Sequence, residues 1–288
     1  MAASKSSAAS ASGAIESQPE STAKSPAEGG PHPLQLARTL IGRALISIAF
    51  PIILVLLWSY ATSTGMFSVV VLPTPQSVAQ SFVSQLQSGQ LQADILSSLK
   101  SVLIGYAVGS VLGIVAGVLG GIFPNFYRFF GLVFDGMRQV PPIAWFPFII
   151  LWFGIGDMAK IVMVAFGTFF PVLINTVDGV RNTDRSYQDL VALYQVKPVD
   201  VVCKVYLPSA LPSLLTGLKL GASRAWMSVV GAEMLGAVSG LGYRIATAQQ
   251  LMRADIMVVD VIVIGVLGWI INFVLEKITA RASAWKTE

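Results

Sequence analysis

The chain has 288 residues, of which 54% are hydrophobic and only 12% are charged, and its mean hydropathy is +0.71. A globular protein with this few polar residues would not stay soluble in water. The composition therefore predicts an integral membrane protein. A net charge of +4 would suggest nucleic acid in a soluble protein, but here the placement of bases around a membrane explains it, and no nucleic acid partner is expected. One cysteine and one histidine exclude a disulfide framework and a Cys/His metal cluster.

The first 36 residues are rich in Ser, Ala, Gly, Pro and Glu. This composition cannot bury enough apolar surface to offset the entropy of ordering, so residues 1–36 are predicted to form a disordered tail. They do not resemble a secretory signal, because no apolar core follows the first basic residue. Residues 37–288 are predicted to form the transmembrane domain.

Apolar segments long enough to cross about 30 Å of hydrocarbon recur along the rest of the chain. Six helical spans are predicted, near residues 41–62, 97–123, 128–153, 158–180, 209–235 and 256–276. The third span contains Pro141, Pro142 and Pro147, and the fourth contains Pro171, so broken or kinked helices are expected there. Because the number of spans is even, both ends of the chain should lie on one side of the membrane.

The basic residues indicate which side that is. With both termini in the cytoplasm, twelve Lys and Arg residues lie in inner segments, whereas four lie outside or at the outer edges of spans, namely Lys100, Lys160, Arg244 and Arg253. Cytoplasmic segments of membrane proteins carry an excess of Lys and Arg. Both termini are therefore predicted to be cytoplasmic.

The second span carries glycine at every fourth position, at Gly105, Gly109, Gly113, Gly117 and Gly121. Small residues at this interval form a groove along one face of a helix, into which another helix can approach closely. Two roles remain open at this point, plain helix packing and an interface that moves.

Residues 184–212 form the only long stretch in the second half of the chain that is plainly polar. The pattern predicts a short helix over Asp184–Tyr194, a turn around Gln195–Lys197, and a second helix that Pro198 opens and Pro208 stops. The positions of the basic residues place this segment in the cytoplasm. A helix pair held in water between two spans predicts a docking element for a cytoplasmic partner.

The sequence contains no motif for an energy source or for catalysis. A phosphate-binding loop, a dinucleotide fingerprint, a nucleophile elbow and a metal-ligand helix are all missing from its pattern. The charges within the spans are also too few and too scattered to form an enzyme site. The chain is therefore predicted to be a conduit driven from outside, and not an enzyme.

Polar groups within the spans are the candidates for lining that conduit. A charged side chain near the centre of a membrane helix costs about 2.5–3.5 kcal/mol, so it should face a partner or a water-filled path. Asp135 and Arg138 either neutralise each other or serve the path, while no local partner is evident for Arg224. The predicted pathway residues are Arg138, Gln139, Trp145, Asn175, Arg224, Trp226 and Glu233.

Several short motifs carry a family resemblance. They are Leu-Pro at 207–208, Leu-Pro-Thr-Pro at 72–75, Arg-Gln-Val-Pro-Pro-Ile-Ala at 138–144, Leu-Trp-Phe-Gly-Ile-Gly at 151–156, and Ala-Glu-Met at 232–234 with Gly-Leu-Gly-Tyr at 240–243. Together they resemble the permease subunits of bacterial binding-protein-dependent ABC importers, in the nitrate, sulfonate and taurine branch. In that family a cytoplasmic loop reads Glu-Ala-Ala, three residues, Gly, and Leu-Pro twelve residues after the Gly. Asp189 falls on the Glu of this pattern and Gln195 on its Gly.

The resemblance implies an all-α fold of the type I ABC importer permease class, with a coupling loop at residues 184–208. It implies a bacterial inner-membrane complex containing a second permease copy, two cytoplasmic ATPase subunits that bind ATP and Mg²⁺, and an external solute-binding protein. This chain itself is expected to bind no cofactor. The residues that the resemblance places at the ATPase interface are Asp189, Leu190, Ala192, Gln195, Val196, Lys197, Pro198, Leu207 and Pro208.

The branch resemblance implies a small anionic solute, such as a sulfonate, taurine or nitrate. The same importer class with another small organic substrate, such as a vitamin precursor, is the nearest alternative. A secondary transporter driven by an ion gradient is a further alternative, although no inverted pair of broken spans is apparent in the sequence.

Overall fold

The computed structural model describes residues 49–65, 68–184 and 197–283. The chain divides into two units, Met1–Leu54 and Val55–Glu288. In the first unit the described residues, 49–54, are helical, and all packing considered below lies within the second. The predicted tail and the loop residues Asp189, Leu190, Ala192, Gln195 and Val196 lie outside the described residues.

The described residues fold into helices joined by short connections. In chain order the helices are α1 Ala49–Ser63, α2 Pro75–Gln87, α3 Gln90–Ile122, α4 Pro124–Gln139, α5 Pro142–Phe153, α6 Asp157–Arg181, α7 Pro198–Val201, α8 Leu207–Gly236, α9 Leu241–Gln250 and α10 Ala254–Ser283. A π-helical turn, Val202–Tyr206, joins α7 to α8. The predicted all-helical architecture is confirmed.

Four helices in the described part of the chain are long and apolar enough to cross a membrane. They are α3, α6, the continuous run Val199–Gly236 and most of α10. Helices α1, as far as it is described, and α5 are apolar but shorter. With 12 residues, α5 is only about 18 Å long, which is less than the hydrocarbon thickness of about 30 Å. Six spans therefore remain a prediction.

The proline-rich third span is divided, as its sequence predicts. Helix α4 ends at Gln139, Val140 is extended with φ −78° and ψ 123°, and α5 begins at Pro142. A proline disfavours helical conformation in the residue before it, so Pro141 and Pro142 account for the break. In the fourth predicted span, by contrast, α6 continues through Pro171 without interruption.

The glycine stripe of α3 packs directly on α6. A Cβ atom built on Gly109 would lie 2.5 Å from the carbonyl oxygen of Ala165, and one built on Gly117 would lie 2.5 Å from Cβ of Thr176. The α6 residues that fill the groove are β-branched and also four apart, namely Val164, Thr168, Val172, Thr176 and Val180. A ridge on α6 thus fits a groove on α3, which confirms a packing role for the stripe.

Helix α8 packs on another part of α6 through further close contacts. A Cβ atom built on Gly179 would lie 3.0 Å from Cβ of Ala210, and one built on Gly217 would lie 2.8 Å from Cβ of Asn175. Nearer the other end, Gly167 contacts Ser228. Helix α6 is therefore held between α3 and α8.

Candidate functional site

A cavity of about 210 Å³ lies beside the break between α4 and α5. Residues of α4, α5, α6 and α8 line it, together with the connecting Val140, and they are Met137, Arg138, Val140, Pro142, Phe166, Gly167, Phe170, Pro171, Ile174 and Arg224. A second cavity, of about 150 Å³, shares Pro142 and Arg224 with the first. The structure therefore brings together two arginines that the sequence analysis nominated separately.

The larger cavity has a cationic wall. Two guanidinium groups line it, and its lining contains no carboxylate. Arg138 Nε lies 3.1 Å from Asp135 Oδ1, and both side chains are partly exposed. Arg224 makes no hydrogen bond or ion pair within the ranges that the structure describes. An unpaired guanidinium on a membrane helix favours an anion, because guanidinium presents several donors in a geometry that matches oxyanions.

Two further pathway candidates are engaged in packing. The Trp226 indole is mostly buried, and its Nε1 donates to the carbonyl of Ile264 on α10 at 3.2 Å. The Asn175 side chain donates to the carbonyl of Pro171 in its own helix at 2.8 Å. In this structure both side chains stabilise helix contacts, and their part in a pathway stays a prediction.

Gln139 and Trp145 flank the break between α4 and α5. Gln139 is the last residue of α4, and its side chain is exposed. The Trp145 ring packs on Phe166, with centroids 5.7 Å apart, and its indole N–H finds no acceptor among the described residues. Both residues stay candidates for the pathway.

Glu233 is enclosed by protein, since only 1% of its surface is exposed. Its carboxylate accepts hydrogen bonds from Ser98 Oγ at 2.7 and 2.9 Å and from the backbone N–H of Gly242 at 3.0 Å. Ser98 Oγ also accepts from the N–H of Leu241 at 3.0 Å. The N–H groups of Leu241 and Gly242 lie at the start of α9, where the helix dipole favours negative charge, whereas Ser98 belongs to α3. Gly240, with φ +112°, has no room for a side chain beside this carboxylate.

A buried ionic cluster that the sequence analysis missed joins α2, α3, α9 and α10. Arg244 Nε donates to both carboxylate oxygens of Asp260, at 3.2 and 3.3 Å, and Arg244 Nη1 lies 3.4 Å from Asp94 Oδ2. Arg244 also donates to Gln85. Asp260 is completely buried, and Asp94 further accepts from the N–H of Gly240 at 2.8 Å.

Lys160 forms a neighbouring cluster and is completely buried. Its Nζ lies 2.8 Å from Asp157 Oδ1 and donates to Ser97 Oγ at 3.1 Å and to the carbonyl of Ser239 at 3.4 Å. In the sequence, Lys160 is evident only as a basic residue at the outer edge of a predicted span. Asp260 is an acidic residue inside the apolar run 256–276. Its presence there could have indicated a buried ion pair in this region.

The described part of the predicted coupling loop differs from its prediction at Pro208. Lys197 is exposed, and Pro198 opens α7 as predicted. The expectation that Pro208 stops this helix is wrong, because the π turn carries the chain into α8 and Pro208 lies in the first turn of α8. Pro208 has no N–H to offer the preceding turn, and the wider π turn just before it makes room for its ring within a continuous helix. Leu207 is partly exposed beside it.

Comparison with known proteins agrees with this architecture. A family model, the inner membrane component of binding-protein-dependent transport systems, matches residues 109–283. The chain is 38% identical over 218 residues to the aliphatic sulfonates transport permease protein SsuC of Escherichia coli K12, covering 76% of this chain and 83% of that protein. It is 26% identical over 248 residues to the taurine transport system permease protein TauC of the same strain, covering 84% and 90% respectively.

A solved structure shares the fold. The inward-facing MetNI methionine ABC transporter matches with a TM-score of 0.61 and 20% sequence identity, covering 68% of this chain and 98% of the matched chain. At this level of identity the likeness concerns the fold alone.

Proposed function

Because this chain belongs to the family of inner membrane components of binding-protein-dependent transport systems and has the type I ABC importer permease fold, we propose that it forms the translocation pathway of an ATP-driven importer for a small anionic solute. It is a transport subunit and not an enzyme, as are the permeases to which it is similar. ATP hydrolysis belongs to a separate subunit of such importers.

The observation that carries the anionic substrate is the cavity lined by Arg138 and Arg224. Arg224, which has no ion-pair partner among the described residues, and the remaining N–H groups of Arg138, whose Nε is paired with Asp135, would stabilise a sulfonate or a similar oxyanion through charge-assisted hydrogen bonds. The apolar remainder of the wall, which includes Phe166 and Ile174, suits a short hydrocarbon tail. The names of two relatives, which refer to aliphatic sulfonates and taurine, support the same substrate class.

The proposed complex contains a second permease copy, two cytoplasmic ATPase subunits that bind ATP and Mg²⁺, and an external solute-binding protein. In this arrangement the complex sits in the bacterial inner membrane with both termini of the permease in the cytoplasm. The ATPase subunit contacts the coupling loop at residues 184–208, including Lys197, Pro198, Leu207 and Pro208. The distribution of basic residues and the match to the family pattern support this arrangement.

Replacing Arg224 with glutamine is expected to reduce solute uptake by roughly tenfold or more, because a hydrogen bond to a charged group contributes about 1.5–3 kcal/mol. The measurement is uptake of a labelled alkanesulfonate into proteoliposomes that contain the permease, its ATPase subunit and its binding protein. Lys219→Gln, which removes a positive charge from the same helix outside both cavities, is the matched control and should leave uptake near wild type. Normal uptake by the Arg224→Gln variant would remove this residue from the pathway.

Deleting residues 189–195 is expected to abolish copurification of the ATPase subunit, because the deletion removes the predicted contact surface. Pull-down of the tagged permease from detergent-solubilised membranes measures the effect. Deleting residues 2–36 serves as the control, and this variant should retain the subunit. Solute uptake that needs an ion gradient and no ATP would contradict the importer assignment as a whole.

A further inference from the structure

The π turn stands where the predicted coupling loop continues into a membrane helix. The turn comprises Val202–Tyr206, and it is closed by a hydrogen bond from the N–H of Leu207 to the carbonyl of Val202, five residues back. The backbone on both sides remains helical, with φ −61° and ψ −46° at Val201 and φ −65° and ψ −46° at Leu207. The wider turn is therefore inserted into a continuous helix. Such π turns are rare, and they occur frequently at functional sites.

Pro208 gives the physical reason for the wider turn. In a regular α-helix the carbonyl of Lys204 would face the ring of Pro208, which has no N–H to offer and would press against that carbonyl. Widening the helix just before the proline relieves this contact. Pro212 has the same defect four residues later, yet it lies in regular α-helix. A proline is therefore not sufficient to produce a π turn, and the surroundings of Pro208 must also contribute to it.

That position is a boundary in packing. Ala210 is completely buried and faces Gly179, and from there α8 stays against α6 as far as Ser228. Among residues 199–207, only Val201 is buried. Movement at the π turn would therefore leave the contacts between α8 and α6 intact.

The polar contacts of the exposed residues 199–207 also lie on one side of this boundary. Lys204 pairs with Asp200 at 2.9 Å, and both residues precede Pro208. The side chain of Cys203 is exposed. Among the described residues, no side chain of residues 199–207 forms a hydrogen bond or ion pair with the part of α8 that follows Ala210.

We propose that Val202–Tyr206 and Pro208 form a joint that lets the segment bound to the ATPase subunit change its angle to α8 during the transport cycle. This inference rests on the proposed function, because it takes contact between residues 184–208 and that subunit as given. Pro208 acts as a positioning residue that maintains the π turn and touches no substrate. Helices α3, α6 and α8 move together as one body, and the joint accommodates the change in angle at its end.

The test uses the complete importer in proteoliposomes. Pro208→Ala supplies the missing N–H and removes the ring, so it favours a regular and stiffer α-helix. In complexes matched for their content of ATPase subunit, we expect the solute transported per ATP hydrolysed to fall about 2- to 30-fold, the range that a coupling energy of about 0.5–2 kcal/mol gives. Pro212→Ala, the matched control, should keep the wild-type ratio.

If Pro208→Ala leaves the solute transported per ATP hydrolysed unchanged, the proposed joint is wrong. It is also wrong if Pro212→Ala lowers this ratio as much as Pro208→Ala does. A wild-type complex that does not couple uptake to ATP hydrolysis would overturn the proposed function itself. These two failures are distinguishable, because the first leaves wild-type transport intact.

Hydrogen exchange on the wild-type complex tests the joint without a variant. The amides of residues 203–207 are expected to exchange faster than those of residues 214–218, and their exchange should change when the complex is trapped with ATP. Protection equal to that of residues 214–218 in both states would overturn the proposal, even if Pro208→Ala failed to assemble.

Discussion

Replacing Arg244 with glutamine is expected to destabilise the protein by about 3–5 kcal/mol, because removing one partner of a buried ion pair leaves uncompensated charge in the interior. Asp260, completely buried, would lose its only ion-pair partner among the described residues, and Asp94 would lose the same cation. The measurement is the thermal or denaturant unfolding midpoint of the purified permease in detergent.

Two further variants make this expectation specific. Arg253→Gln removes an arginine that pairs with Asp255 at 2.8 Å, but Arg253 is about half exposed, so the loss should be at most about 1 kcal/mol. Adding Asp260→Asn to the Arg244→Gln variant removes one stranded charge and should recover part of the stability. Equal destabilisation by the Arg244 and Arg253 variants would show that burial does not govern this cluster.

Replacing both Gly109 and Gly117 with alanine is expected to destabilise the contact between α3 and α6 by about 2–6 kcal/mol. Each added methyl group would lie about 2.5 Å from atoms of α6, and overpacking costs about 1–3 kcal/mol per site. The two positions are about 12 Å apart along the helix, so their effects should add. Loss of monodisperse protein on size exclusion after mild heating measures the effect.

Gly265→Ala provides the matched control on another membrane helix. A Cβ atom at Gly265 would meet nothing within 4 Å, and alanine is the better helix former by about 0.5–1 kcal/mol. The variant should therefore be neutral or slightly stabilising. A loss as large as that of the Gly109 and Gly117 variant would mean that close packing against α6 does not explain the effect of alanine at those two positions.

Features governed by neighbours in sequence were the ones that sequence analysis could predict. The glycine interval of four is a property of one helix face, and it identified the groove that α6 fills. The break at Val140 follows from Pro141 and Pro142, which restrict the backbone locally. The Asp135–Arg138 pair, three residues apart on one helix, was likewise within reach.

Features that depend on distant parts of the chain could not be predicted. Arg244 and Asp94 are 150 residues apart, and a single sequence gives no reason to pair them. Arg138 and Arg224 were nominated separately, but their common cavity follows from how α4, α6 and α8 pack. At Pro208, the sequence rule that proline ends a helix was overridden, because one π turn is enough to accommodate the ring.

The buried cluster around Arg244 also has a consequence for biosynthesis. Arg244 and Asp260 are only 16 residues apart, so they leave the ribosome almost together and can enter the membrane as a neutral pair. Asp94 is made 150 residues before Arg244, which at about 5–20 residues per second leaves it without its cation for about 8–30 s. A nascent chain released before α9 would lack the arginine of this cluster, so Asp94 would keep a carboxylate without its cation.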